Sequence, residues 1–370
     1  MKKPKLLGIE FIRGVSTYAV VLVHSGDETW GLSIENTAIS FRLFFYFAVP
    51  FFLAAAFYFM TANPAISYSL KFWRSRVERI LVPYIIWSII FLISRVIIFI
   101  GTHKTDRLHQ FLQDPLSIIF LGGASYHLYF LPLLLTGTLL VLLIPLLERL
   151  KINSLGLLAI AMFSVYFYNL LEISGNGFHL GEPSNAFENL TSNLNINIEQ
   201  YPLLRLILVE SAWIIRCLPY FAIALILNKL RLDRKLLNAK APAVLSLAIL
   251  VILCNTTGKM LLPLGLSELL LAFTLLLFSM IISRYSRYFS NNTVASFVTS
   301  IGKCSFGIYL IHPFVIYLVK PTVSKIVPSI ATTISISSML ALSILCFLIS
   351  WAIVAYLAKN KPISKYLFGV

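Results

Sequence analysis

Residues 10–27 read EFIRGVSTYAVVLVHSGD, and this stretch decides how the rest of the chain is read. It is apolar enough to form a membrane helix, yet it carries a polar line of Glu10, Arg13, Thr17, His24 and Asp27. At 100° per residue, the eleven steps from Arg13 to His24 bring the two to within about 20° of one direction. At 1.5 Å of rise per residue they stand roughly 16 Å apart. A single helical face thus offers a cation near one membrane surface and an imidazole near the other. Ionisable groups inside a membrane helix are costly and mark candidate functional positions.

The remainder of the chain is of the same kind. It has 370 residues, 58% of them hydrophobic and 12% charged, with a mean hydropathy of +0.86. Such a composition implies an all-α, polytopic membrane helix bundle in one domain over residues 1–370, with no stretch left for a sizeable soluble domain. Apolar runs of spanning length place about ten helices near 8–26, 38–60, 80–100, 126–147, 154–172, 204–228, 241–258, 264–283, 303–319 and 335–357. Several contain proline, which membrane bundles tolerate. Arg13 interrupts the first run and no small-residue cleavage site follows His24, so this run reads as an uncleaved span rather than a signal peptide. Cys217, Cys254, Cys304 and Cys346 lie in or beside apolar runs without metal-ligand spacing. They read as buried, reduced and structural, and no metal is expected.

The net charge of +15 would point a soluble protein towards nucleic acid. Here the cations follow the loops. With the N-terminus cytoplasmic, 20 of the 30 Lys and Arg residues fall in cytoplasmic segments, five in outer loops and five in or at the ends of spans. A split that alternates loop by loop supports ten spans with both termini cytoplasmic. The charge is therefore mostly topology, and no nucleic-acid partner is expected.

Several other groups are candidates for chemistry. Residues 71–84, KFWRSRVERILVPY, place Arg74, Arg76 and Arg79 on a short amphipathic helix on the cytoplasmic side before the third span. They read either as an anchor for anionic lipid or as a site for a phosphorylated ligand. His127, in YHLYFLP at the outer start of span four, reads as a belt residue or as a group level with His24. His312, in IGKCSFGIYLIHP, stands about two turns short of the outer end of span nine. Glu210 and Arg216 in span six are about 120° apart and need partners on other helices, and Glu268 sits in the outer third of span eight. By topology His24, His127, Glu210, Glu268 and His312 all fall in the outer half, with the arginines inside. A neutral imidazole is a suitable general base near pH 7, and Asp27 is placed to orient it. The bland alternatives are a snorkelling Arg13 paired with Glu10 and an interfacial His24 bonded to a neighbouring helix.

Four stretches together resemble the integral-membrane acyltransferase family 3, whose members O-acylate sugars of surface glycans using acyl-CoA. LGIEFIRGVSTYAVVLVHS is similar to the family's first span, with its Arg/Lys-x10-His signature at Arg13 and His24. The RxxR motif falls on Arg76 and Arg79. HLYFLP at 127–132 resembles the HLWFLP of one branch, with Tyr129 in place of Trp, and SFGIYLIHPF at 305–314 resembles the penultimate-span motif. Two features depart from the family. Glu10 stands where Asp is usual, and the extracytoplasmic hydrolase-like domain of some members has no counterpart.

The resemblance implies an enzyme of a bacterial-type cytoplasmic (inner) membrane, with both termini inside. Its co-substrate would be acyl-CoA, most simply acetyl-CoA, with no permanently bound cofactor. Its acceptor would be a carbohydrate or glycolipid hydroxyl. Arg13, Arg74, Arg76 and Arg79 would bind the donor. The pantetheine arm would run along span one to His24, the general base. Glu10, Asp27, His127, Glu210, Glu268 and His312 would support the site or face the acceptor. A transporter or flippase for a small anionic or lipid-linked substrate is the alternative class. A membrane assembly partner of a polysaccharide export system is a third.

Overall fold

A computed structural model describes residues 7–26, 33–62, 69–103, 105–173, 193–196, 200–232, 241–285, 293–326 and 333–369. Among them, ten helices are long and apolar enough to cross a membrane: Leu7–Ser25, Asn36–Thr61, Leu70–Gly101, Phe130–Arg149, Ser154–Leu171, Pro202–Lys229, Pro242–Leu261, Leu264–Ser283, Thr293–Lys325 and Ile336–Leu357. These are spans one to ten. Helices suit lipid because each satisfies its own backbone N–H and C=O groups. Several hydroxyls within them are satisfied locally too. Thr17, Ser25, Thr61, Ser94 and Thr138 each donate to the carbonyl four residues earlier, at 2.7–2.8 Å. This lets Ser and Thr sit in apolar surroundings without an orphaned group.

Two of the expected spans are longer than their apolar runs. Span three begins at Leu70, not near residue 80, and is capped by the Ser69 side chain. Its charged opening therefore belongs to the span itself, in place of the separate short amphipathic helix that the sequence suggests. Span nine begins at Thr293 and runs to Lys325, through Pro313 and Pro321. His312 is consequently near the middle of its helix, not two turns from the end. In both cases backbone hydrogen bonds carry the helix through a charged stretch that a hydropathy window excludes.

The chain packs as two compact units, Met1–Ala56 with Leu230–Lys361, and Phe57–Lys229 with Pro362–Val370. In the first unit, span one packs against spans eight, nine and ten. Glycines permit the close approach: Gly8 lies against Ser283, and Gly14 against Ile301. Small residues serve this purpose between membrane helices. Beyond span one, strand β1 (Ser33–Ile34) pairs in parallel with β2 (Thr333–Ile334), which lies beyond span nine. Leu22, Ala38, Ile334 and Met339 form a buried cluster beneath this pair.

In the second unit, span six packs against spans four and five. Trp213, Phe57 and Phe221 are fully buried there. Asn228 donates to the Tyr58 carbonyl and to Thr61, both at 2.9 Å. Ile85, Ile89, Ile93 and Ile97 are exposed along span three at every fourth residue, which is the stripe a lipid-facing helix presents.

Candidate functional site

Spans one and nine run parallel, since Glu10 packs on Gly302 and His24 stacks on His312. Gly302 is what admits Glu10. A Cβ there would lie 2.7 Å from the Glu10 Cβ and 2.8 Å from its carbonyl oxygen. Glu10 in turn pairs with Arg13 at 3.4 Å, and both side chains keep about a third of their surface accessible (29% and 34%). One turn on, Thr17 is fully buried and spends its hydroxyl on the Arg13 carbonyl. The polar line of span one is therefore closed by packing at Thr17, with accessible groups on either side of it.

At the far end of span one, His24 is half-buried and its ring stacks on that of His312, with centroids 5.4 Å apart and planes at 28°. His312 is fully buried, and its Nδ1 lies 2.7 Å from the Tyr309 carbonyl oxygen. Arg42 closes over this end, donating to the Gly26 carbonyl at 2.7 Å. Arg42 is 9% exposed. In the sequence it is only a cation at a span boundary, and sequence reasoning does not single it out. Its one signal is a cation at the start of an apolar run, where a charge is costly. Asp27 lies outside the described residues, as does most of the long loop expected at 173–203.

Glu268, half-buried in span eight, lies within electrostatic reach of Lys259 in span seven. Lys259 donates to the Leu43 carbonyl at 2.7 Å, and Asn255 to the Phe44 carbonyl at 2.9 Å. These contacts pair a π turn in span seven, Cys254–Gly258, with the irregular turn at residues 44–47 in span two.

The second unit holds the arginine cluster. A π turn, Val77–Leu81, comes directly after Arg76. Such a turn inserts a residue and rotates the next stretch of helix, so Arg76 and Arg79 do not share a face as an unbroken α-helix would require. Arg76 is half-buried, stacks over Phe72 at 5.0 Å and lines an open cavity of about 290 Å3. Trp73, Val77, Leu135, Thr136, Thr138 and Leu139 complete its walls, so Arg76 faces the middle of span four. Behind that wall Thr136 donates to Glu210, the partner on another helix that Glu210 was expected to need. Arg216 has found its own, with the guanidinium 5.4 Å from the Tyr168 ring.

Arg79 is exposed, and its backbone lies against Gly369, which has φ +64°. Arg74, also exposed, is held by Glu78 at 3.0 Å, and Lys365 approaches the same carboxylate at 3.9 Å. The C-terminal helix Lys361–Phe368 is anchored here by Trp87, which donates to the Leu367 carbonyl at 2.9 Å.

His127 is 1% exposed, in the turn before span four. Its Nδ1 is 3.0 Å from Ser125 Oγ, and the Phe91 ring meets it edge-on at 5.1 Å. The Tyr84 hydroxyl fixes that turn by donating to the Ile119 carbonyl at 2.6 Å and accepting from the Gly122 N–H at 3.1 Å. His127 is thus enclosed by packing. Among the described residues no group of three or more His, Cys, Asp or Glu could hold a metal, and the four cysteines are buried and unpaired.

The model of an acyltransferase domain, that of acyltransferase family 3, matches residues 6–355. No curated protein and no solved structure matches the chain.

Proposed function

From the premise that the chain belongs to acyltransferase family 3, we propose that this membrane acyltransferase moves an acetyl group from cytoplasmic acetyl-CoA to a hydroxyl of an extracytoplasmic or lipid-linked glycan. The observation that carries the reading is the imidazole pair: a half-buried His24 at the end of a membrane helix, backed by a fully buried His312. His24 acts as the general base. It takes the acceptor's hydroxyl proton as the oxygen bonds to the acyl carbon. The C–S bond then breaks, and the CoA thiolate recovers the proton from His24.

Donor binding falls to the arginines. Arg76 and Arg79 hold the anionic nucleotide end, since guanidinium groups donate bidentately to phosphate. Arg76 takes the larger share, because it is half-buried and lines a concave site, whereas Arg79 is exposed and more strongly screened. Arg74 contributes less while Glu78 holds it. Arg13, paired with Glu10, is the remaining donor-side cation. The bulk of basic residues in alternate loops supports N-in and C-in orientation in a bacterial-type inner membrane.

Isotope-labelled acetyl-CoA supplied to inside-out vesicles tests the reading. Wild-type protein should pass label to the glycan fraction. His24→Ala should lower the rate by about 100-fold or more, as expected for loss of a general base. Undiminished transfer by His24→Ala would overturn the mechanism. A transporter would leave its substrate unchanged and form no labelled glycan.

A further inference from the structure

Span nine carries the dipeptide His312–Pro313 near its middle. Proline has no backbone N–H, so the carbonyl four residues before it loses the donor an unbroken helix supplies. That carbonyl belongs to Tyr309, and the Nδ1 of His312 occupies it at 2.7 Å. A carbonyl oxygen only accepts, so Nδ1 carries the proton, and in the neutral ring Nε2 carries the lone pair. A backbone defect has therefore selected one tautomer of a buried side chain and fixed the plane of its ring. The ring so fixed is the one against which His24 stacks, 5.4 Å away at 28°.

We propose that His312 is a positioning residue for His24, locked in place by the helix break at Pro313. Pro313 frees the Tyr309 carbonyl, the carbonyl holds His312, and the held ring sets the orientation of His24. The proposal rests on the reading of His24 as the base. Between accepting the hydroxyl proton and returning it to the departing thiolate, His24 is an imidazolium. The face of a neutral aromatic ring attracts a cation, so the fixed His312 ring stabilises the charge at the moment it exists. His312 exchanges no proton with substrate in this scheme. Its work is orientation and charge stabilisation.

The test uses the full-length protein in inside-out vesicles with labelled acetyl-CoA, and 15N-histidine NMR of the detergent-solubilised protein. Pro313→Ala returns a backbone N–H to the Tyr309 carbonyl and so competes with His312 for it. It should lower kcat about 3- to 30-fold, with KM for acetyl-CoA unchanged. His312→Ala should lower kcat at least as far, again with KM unchanged. His312→Phe keeps a ring face without the lock and should recover part of the loss. Pro321→Ala, in the same helix, should leave kcat at the wild-type value. In the spectra, His312 should be protonated at Nδ1 in wild type and lose that preference in Pro313→Ala.

Wild-type kcat in both Pro313→Ala and His312→Ala would overturn the proposal, as would a wild-type His312 protonated at Nε2. If the wild-type protein transferred no label, the acetyl-CoA reading would fail. The spectra would still decide whether Pro313 locks His312.

Discussion

Spans three and nine both depart from α-helical regularity where their polar residues sit, and they do so in opposite ways. Span nine loses a backbone donor at Pro313, and a side chain three residues from Tyr309 fills the place. The defect binds His312 to its own helix and leaves it fully buried. Span three gains a residue in the π turn Val77–Leu81. That defect parts two side chains also three residues apart, so that Arg76 faces a cavity and Arg79 faces outwards. Residues at i and i+3 are neighbours on a regular helix. In one region the irregularity holds such a pair together, and in the other it gives the two members different surroundings.

The widest separation between the regions should appear in donor binding. Arg76→Ala should raise KM for acetyl-CoA about 10- to 100-fold, the worth of a charge-assisted bond in a partly dry site. Arg79→Ala should raise it no more than about 5-fold, as for an exposed charge. Equal effects in steady-state kinetics would erase the distinction drawn from the π turn. Filling the cavity tests the same wall from span four. Leu139→Trp should raise KM about 10-fold by obstructing the open space beside Arg76, while His312 variants act on kcat. A Leu139→Trp enzyme with wild-type KM would show that the donor does not enter the cavity.

A smaller effect is expected on stability. In Gly302→Ala the new methyl meets backbone and Cβ of Glu10, neither of which can swing aside. Overpacking of that kind costs about 1–3 kcal/mol, read as a lowered unfolding temperature in detergent. An unchanged temperature would mean that spans one and nine can part at no cost. Smallest of all is Lys365→Ala. Its 3.9 Å contact with Glu78 is a surface pair, and such pairs are screened and contribute little. The unfolding temperature should not move measurably, because Trp87 and the buried Phe368 hold the C-terminal helix. A large loss would promote Lys365 to a structural clamp on the arginine turn.

Much of this arrangement is legible from the chain alone, for reasons that differ residue by residue. The ten spans can be read because hydropathy sums over about twenty adjacent residues, a strictly local property. Arg13 and His24 stand out because a charge and an imidazole in such a run are expensive wherever the helix packs. The starts of spans three and nine are hidden because Lys71, Arg74, Arg76 and Lys303 lower the hydropathy of segments that remain helical. Neither Thr136, as the partner of Glu210, nor Arg42 can be named from the sequence, because each acquires its meaning from a distant segment. Thr17 reads in the sequence as part of a continuous polar line, but the packing of span one against its neighbours leaves it fully buried.

By itself, the sequence determined what depends on near neighbours. That comprises helices in place of sheets, a membrane in place of water, the spacing of Arg13 and His24, and a proline placed to strip Tyr309 of its backbone donor. Only the tertiary structure decided what depends on approach between segments. It set His312 against His24, Arg76 against the middle of span four, and Glu10 in the space left by Gly302. The physical reason is that solvation and backbone hydrogen bonding are local. A stacked ring pair or a lined cavity exists only when helices far apart in the chain pack together, and no periodicity in one helix records which face of another it will meet.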